Sequence, residues 1–163
     1  MSDAVKAARA VLGDVTPLWR DCGAGCGAAC CASLPGEETG MLLFPGEAEM
    51  YREAPGFRVE AAAQGALLIC PGTCRREERP LSCRLFPLLP LLREDAIRVA
   101  MDARARAVCP LARQGVKALR EDFVEAVRAA GRLLAEEEES RAFLLRLTRE
   151  QDEWKALRRT LGG

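Results

Sequence analysis

Apolar and polar positions alternate with three different rhythms along this chain. Ser2 is placed to cap a short helix running to about Leu12, and Gly13 to end it. Thr16-Pro17 repeats that logic, a capping hydroxyl followed by proline, and predicts a second short helical turn that includes Trp19. Periodicity then breaks: Asp21 to Pro35 is a run of small residues and cysteines that reads as a loop. Pro45 to Ala54 reads as a helix, acidic at its start through Glu47 and Glu49 and stopped by Pro55-Gly56. Phe57 to Ala61 and Ala66 to Cys70 look like short strands; Ala96 to Met101 is a third, with Ile97 and Val99 on one face. Beyond Pro110 the pattern is helical. Val116, Leu119, Phe123, Val127 and Leu134 recur at helical spacing, and Leu144, Leu147, Trp154, Leu157 and Leu161 continue the theme. Thr148 followed by Gln151 is a capping-box signature and predicts a fresh helix start. Glu136 to Glu139 reads as a solvated face or a first helical turn.

These elements predict one α+β domain over residues 1–163. A cysteine-rich, metal-binding region with a small antiparallel sheet, about residues 17–110, would pack against a helical segment, 111–163. Charge changes this picture little: 24 basic and 24 acidic side chains give no general electrostatic reason to bind nucleic acid or an anionic membrane. The longest apolar stretch, Leu81 to Leu92, is interrupted by Arg84, Pro87 and Pro90 and does not read as a membrane span. Met1 to Val15 carries Asp3, Lys6, Arg9 and Asp14 and no long apolar core, so it does not read as a secretory signal. The expected compartment is the cytoplasm. Self-association through the carboxyl-terminal helices is the expected contact with a partner.

Composition changes the picture more. The chain has eight cysteines and no histidine, which excludes histidine-based triads and imidazole metal ligands. In a reducing compartment clustered cysteines more often bind metal or do redox work than form disulfides. The first four, Cys22, Cys26, Cys30 and Cys31, follow C-x3-C-x3-C-C; Cys70 and Cys74 follow C-x3-C; Cys83 and Cys109 stand apart. On a regular helix Cys22 and Cys30 would lie about 12 Å apart. Sulfurs on one tetrahedral zinc lie only roughly 4 Å apart. If they share a centre, Cys22 to Cys31 is a non-helical loop, and Gly23, Gly25 and Gly27 admit the conformations it needs. Adjacent side chains usually diverge, so either Cys30 or Cys31 is a bystander or the pair links two centres. Cys70-Pro71-Gly72-Thr73-Cys74 reads as a turn that brings two sulfurs together. Spacing leaves open zinc or iron, including a [4Fe-4S] cluster, in one site or two.

Arg79 and Arg84 beside the second cysteine group are candidates to offset thiolate charge, whereas Arg75 and Arg76 read as surface partners of Glu77 and Glu78. Glu37, Glu38, Glu47 and Glu49 have no spacing that marks acid–base catalysis, and no catalytic residue is assigned. Phe44, Tyr51, Phe57 and Phe86 read as core.

The order Cys22, Cys26, Cys30-Cys31, then Cys70 and Cys74, then Arg79-Pro80-x-x-Cys83-Arg84-x-Phe86-Pro87, resembles the YkgJ-type cysteine-cluster proteins. That family is described as a zinc- or iron-chelating domain and is named for a CxxCxxCC motif. The resemblance covers roughly Asp21 to Pro110, and this chain has one extra residue in each gap of the eponymous motif. It implies metal or cluster binding and carries no settled activity. Some cysteine-cluster relatives are flagellin lysine methylases with much more chain. The expected function is therefore metal chelation without assignable catalysis. The alternative is an iron–sulfur protein in redox or methylase-like group transfer beside a partner enzyme; a thiol redox sensor ranks third.

Overall fold

Ser2 begins the fold as its pattern predicts. In the computed structural model, which describes residues 1–32, 40–72 and 74–161, its hydroxyl accepts the Val5 N–H at 3.3 Å and caps α1 (Asp3–Leu12). Gly13 ends that helix, its N–H bonded to the Arg9 carbonyl. Val5, Ala8 and Leu12 make the apolar stripe of α1, and they are fully buried against α5 (Glu121–Ala135). There Phe123, Val127, Ala130 and Leu134, at helical spacing, face inward.

A hairpin of β4 (Leu88–Arg93) and β5 (Ala96–Met101) inserts beside these helices, turning through Glu94 and Asp95, both at positive φ. β4 was not legible as a strand. Its residues Leu88 to Leu92 are buried at every position, because α5 and α6 (Glu138–Thr160) both pack against it. A strand covered all round shows no alternation to read. Gly131 permits the closest approach: a Cβ there would stand 2.7 Å from Pro90 Cβ and 2.8 Å from Ile97 Cγ2.

The predicted helix start at Thr148 is absent, and α6 runs unbroken from Glu138. Thr148 Oγ1 donates to the Leu144 carbonyl one turn back and accepts the Leu92 N–H at 3.1 Å. Gln151 accepts the Ala103 N–H and donates to the Met101 carbonyl. The two polar residues that resemble a cap thus satisfy the backbone of the hairpin instead. Glu138 and Glu139 occupy the first turn of α6, as predicted for that acidic run. Leu144 and Leu147 are buried, but Trp154, Leu157 and Leu161 are exposed, so the apolar series stops serving the core after Gln151.

The second layer is a three-stranded antiparallel sheet of β1 (Gly40–Leu42), β2 (Arg58–Ala62) and β3 (Gly65–Ile69), in the order β1-β3-β2 among the described residues. Val59 opposes Leu68 and Leu42 opposes Leu67. The two predicted strands here fall within one residue of β2 and β3; β1 is an addition. Leu43, Tyr51 and Leu68 form a small core under this sheet. The helix expected over Pro45 to Ala54 is a shorter 3-10 turn, Glu47–Tyr51, entered through Gly46 at φ 78°. No helix forms at Thr16-Pro17: the Thr16 hydroxyl bonds forward to the Leu18 carbonyl, and Arg120 donates its N–H to the Pro17 carbonyl. Trp19 is 85% exposed with the Arg120 guanidinium 3.7 Å over its ring. The chain is thus α+β, with small antiparallel sheets packed against carboxyl-terminal helices. No helix among the described residues is long and apolar enough to cross a membrane.

Candidate functional site

Short elements deliver the cysteines. α2 (Cys22–Cys26) is one helical turn capped by Asp21, whose carboxylate accepts the Gly23 N–H at 3.0 Å. One turn sets Cys22 and Cys26 on the same side, and the Cys26 thiol reaches the Cys22 carbonyl at 3.5 Å. The chain then reverses. Gly27 (φ 62°) and Ala28 (φ 53°) are both left-handed, and a 3-10 turn, Ala29–Cys31, follows. The segment expected to be a non-helical loop is therefore two helical turns joined by a left-handed corner, which avoids the long rise a continuous helix would impose. Residues 33–35 of that predicted loop, along with Glu37 and Glu38, lie outside the described residues.

Cys30 and Cys31 differ from expectation too. Their sulfurs converge to 3.9 Å, about the spacing two thiolates take on one tetrahedral zinc. The turn after Cys70 comes up against this pair, where a Cβ on Gly72 would stand 3.4 Å from the Cys31 carbonyl oxygen; Thr73, within that turn, lies outside the described residues. Cys83 rides on α3 (Leu81–Leu85), and Cys109 follows α4 (Ala105–Val108), which lies against the Ala29–Cys31 turn.

All eight cysteines, from these separate stretches, line one cavity of about 280 Å³. Each is a half-buried free thiol. Met41, Phe57, Leu68 and Phe86 complete much of the wall; Phe57 also packs on the small core beside Tyr51, and Phe86 is half-buried. The thiols ring the space without meeting at a point. Among the described residues, no group of three or more His, Cys, Asp or Glu side chains stands at the spacing that holds one ion.

The thiols are close enough to perturb one another. Burial, then the Asp21 carboxylate, then the thiols of Cys26 and Cys109 push the Cys22 thiol up. Burial followed by Cys31, Cys74 and Cys70 does the same to Cys83. Cys74 is raised by burial against an opposing hydrogen bond from Arg79, with Cys31 and Cys70 as its thiol neighbours. Within the vicinal pair, the hydrogen bond between the thiols raises Cys30 and lowers Cys31 to about 6, with Arg79 also favouring the Cys31 thiolate.

Arginines hold the segment between Cys74 and Cys83. Arg9, from α1, donates to the Arg79 carbonyl at 2.8 Å and the Glu77 carbonyl at 3.0 Å. Arg84 donates to the carbonyls of Arg76, Glu77 and Arg79. Tyr51 completes the set at the Glu78 carbonyl, 2.7 Å away. Arg76, expected at the surface, is half-buried and clasps the carbonyls of Gly13 and Val15 at 2.9 and 2.7 Å. Arg75 is the exposed partner of Glu78 that its sequence context predicts. Arg79 lies beside Cys74 and favours its thiolate. Arg84 also borders the cavity, and it donates to main-chain carbonyls.

Glu47 went unrecognised in the sequence. It is fully buried, pairs with Arg9 at 2.8 Å, and accepts the N–H groups of Phe44 and Leu81. Its carboxylate thereby caps the helix that carries Cys83. Burial raises its pKa, and those two N–H donors and Arg9 oppose the rise. The available signal was Arg9 itself, a charge on the stripe of Val5, Ala8 and Leu12, which calls for a buried partner.

Eight thiols with no imidazole, and the Arg79 guanidinium close by, make the wall of this cavity a sulfur-only set of possible ligands. No protein-family model, curated protein or solved structure matches this chain.

Proposed function

We propose that this protein binds zinc or iron through its cysteine cluster and carries no catalytic residues of its own. The supporting observation is convergence: eight thiols drawn from across the first 109 residues border one cavity. Eight small hydrophobes would instead be spread through the core. When bound, the metal would supply a Lewis-acid centre held by thiolates, whose negative charge Arg79 would partly offset. The reading assumes a reducing compartment such as the cytoplasm, where the thiols stay unpaired.

One observation favours a second reading. The donors are all thiolates with no imidazole among them, so an iron–sulfur cluster, which like tetrahedral zinc takes four thiolates, serving redox or group-transfer chemistry beside a partner enzyme also fits. Self-association, if it uses the carboxyl-terminal helix, falls on the exposed Trp154, Leu157 and Leu161 of α6.

Purification without oxygen, followed by elemental analysis and thiol titration, tests the proposal. The expected protein carries at least one equivalent of zinc or iron, and its thiols resist a thiol reagent until a chelator is added. Brown colour with sulfide present selects the cluster; colourless protein with zinc selects the simple ion. Metal-free protein whose thiols all react at once, and which takes up neither metal on addition, overturns both.

A further inference from the structure

The sulfurs of Cys30 and Cys31 already stand together, 3.9 Å apart. Neighbouring positions on a 3-10 turn lie about 120° apart around its axis, so adjacent side chains ordinarily diverge. Here both thiols turn to one side. The turn that carries them is pinned by its own main chain: the Cys31 N–H donates to the Ala28 carbonyl at 2.7 Å, and the Ala32 N–H to the Ala29 carbonyl at 3.3 Å. Both thiols are half-buried and border the cavity, whose wall also includes Met41, Phe57, Leu68 and Phe86. Among the described residues no three Cys, His, Asp or Glu side chains share the spacing that holds one ion. A ligand matched to this place makes two bonds to sulfur and leaves an apolar remainder.

We propose that Cys30 and Cys31 form a dithiol capture site for a trivalent organoarsenical, an arsenic(III) centre bearing one organic group and two exchangeable hydroxyls. Two As–O bonds break and two As–S bonds form, and each hydroxyl leaves as water with one thiol proton. Arsenic stays trivalent and neither sulfur is oxidised, so the exchange needs no oxidant or reductant. Soft sulfur donors suit this soft centre. Once one thiol has exchanged, the other is within reach, and the second bond forms intramolecularly. The organic group is the third substituent, and the apolar wall receives it. An apolar cavity of about 150 Å³ holds benzene. The cavity here, about 280 Å³, accommodates an aryl ring. Inorganic arsenous acid has three exchangeable hydroxyls and no organic group, so it leaves one valence without sulfur and the wall uncovered. The site goes beyond the metal-binding reading and does not depend on it.

Phenylarsonous acid, titrated into metal-free full-length protein, is the probe. The wild-type chain binds one equivalent and loses two titratable thiols. A small dithiol reverses the binding, and a monothiol at the same concentration does not. Cys30→Ala and Cys31→Ala each weaken binding by about a hundredfold or more. The rival dithiol, Cys22 and Cys26 on one side of α2, is tested by replacing both with alanine, and that variant still captures the probe. Inorganic arsenous acid binds more weakly than the aryl compound. Should a single variant fail to fold by circular dichroism, fragmentation of the wild-type adduct places arsenic across Cys30 and Cys31. Capture retained in both single variants, lost with Cys22 and Cys26, or located elsewhere by fragmentation overturns the proposal. Arsenous acid binding as tightly as the aryl compound overturns it too. Capture by a protein that takes up neither zinc nor iron overturns the metal reading alone; metal uptake without capture overturns this proposal alone.

Discussion

Around α5 and β4 the chain buries Phe123, Val127, Leu134, Leu88 and Leu91 almost completely, whereas all eight cysteines stay half-exposed around a cavity. The first region is close-packed and is held by apolar contact between long elements. The second is built of turns of three to five residues, and side chains reaching main-chain carbonyls hold much of it. Packing needs only the right size and polarity at each position. Polar clasps need each donor placed within hydrogen-bond distance. The contrast teaches where robustness and vulnerability lie: the core tolerates adjustment, and the cysteine face depends on a few long-range polar contacts.

Glu47→Ala should break the contrast most sharply. It removes the carboxylate that accepts from Arg9, Phe44 N–H and Leu81 N–H and leaves a buried guanidinium without its counter-charge. The expected loss is about 3–5 kcal/mol in denaturant unfolding, with faster labelling of Cys83 in the native state. A loss below about 1 kcal/mol, with labelling unchanged, would mean that the clasp does not hold the cysteine face.

Leu144→Ala probes the other region. Leu144 is fully buried beneath the hairpin, so the cavity left behind should lower stability by about 2–5 kcal/mol. Native-state thiol reactivity should stay as in the parent, because no cysteine belongs to that core. If the thiols became more reactive well below the unfolding midpoint, the two regions would have to be treated as one cooperative unit.

Arg93→Ala gives the smallest effect. The Arg93 hydrogen bond holds the Asp152 carboxyl below its ordinary value. Stability from a depressed carboxyl is present above the unfolded pKa, about 3.9, and is lost as pH falls through the folded value. The melting difference between parent and variant should therefore be small at neutral pH and vanish in stronger acid. A difference that grows on acidification would contradict this assignment.

The same contrast explains what the sequence made legible. α1 could be read because Ser2, its apolar stripe and Gly13 are local signals, and so could the core face of α5. The eight cysteines stood out as candidate ligands, for one site or two, because their residue type is chemically specific, and all eight line one cavity. β4 was hidden by burial on all sides, and Thr148 mimicked a cap because its true partner, Leu92, lies 56 residues away. Arg76 looked like a surface charge for the same reason, since the carbonyls it clasps are 61 and 63 residues distant. Local patterns reveal local partners. The arrangement of the thiols depends on distant ones.

The Arg9 clasp also bears on the order in which the chain takes shape. Arg9 lies 70 residues from the Arg79 carbonyl it holds, and the cap on α3 comes from 34 residues upstream. A five-residue helix does not persist alone, and loops of that length close late. The wall carrying Cys74 and Cys83 is therefore held together only where α1 is docked. A chain whose α1 is undocked leaves Cys74 and Cys83 on a segment without that clasp, open to oxidants and soft metals. The first helix, which contributes no thiol, is thus the latch of the thiol cavity.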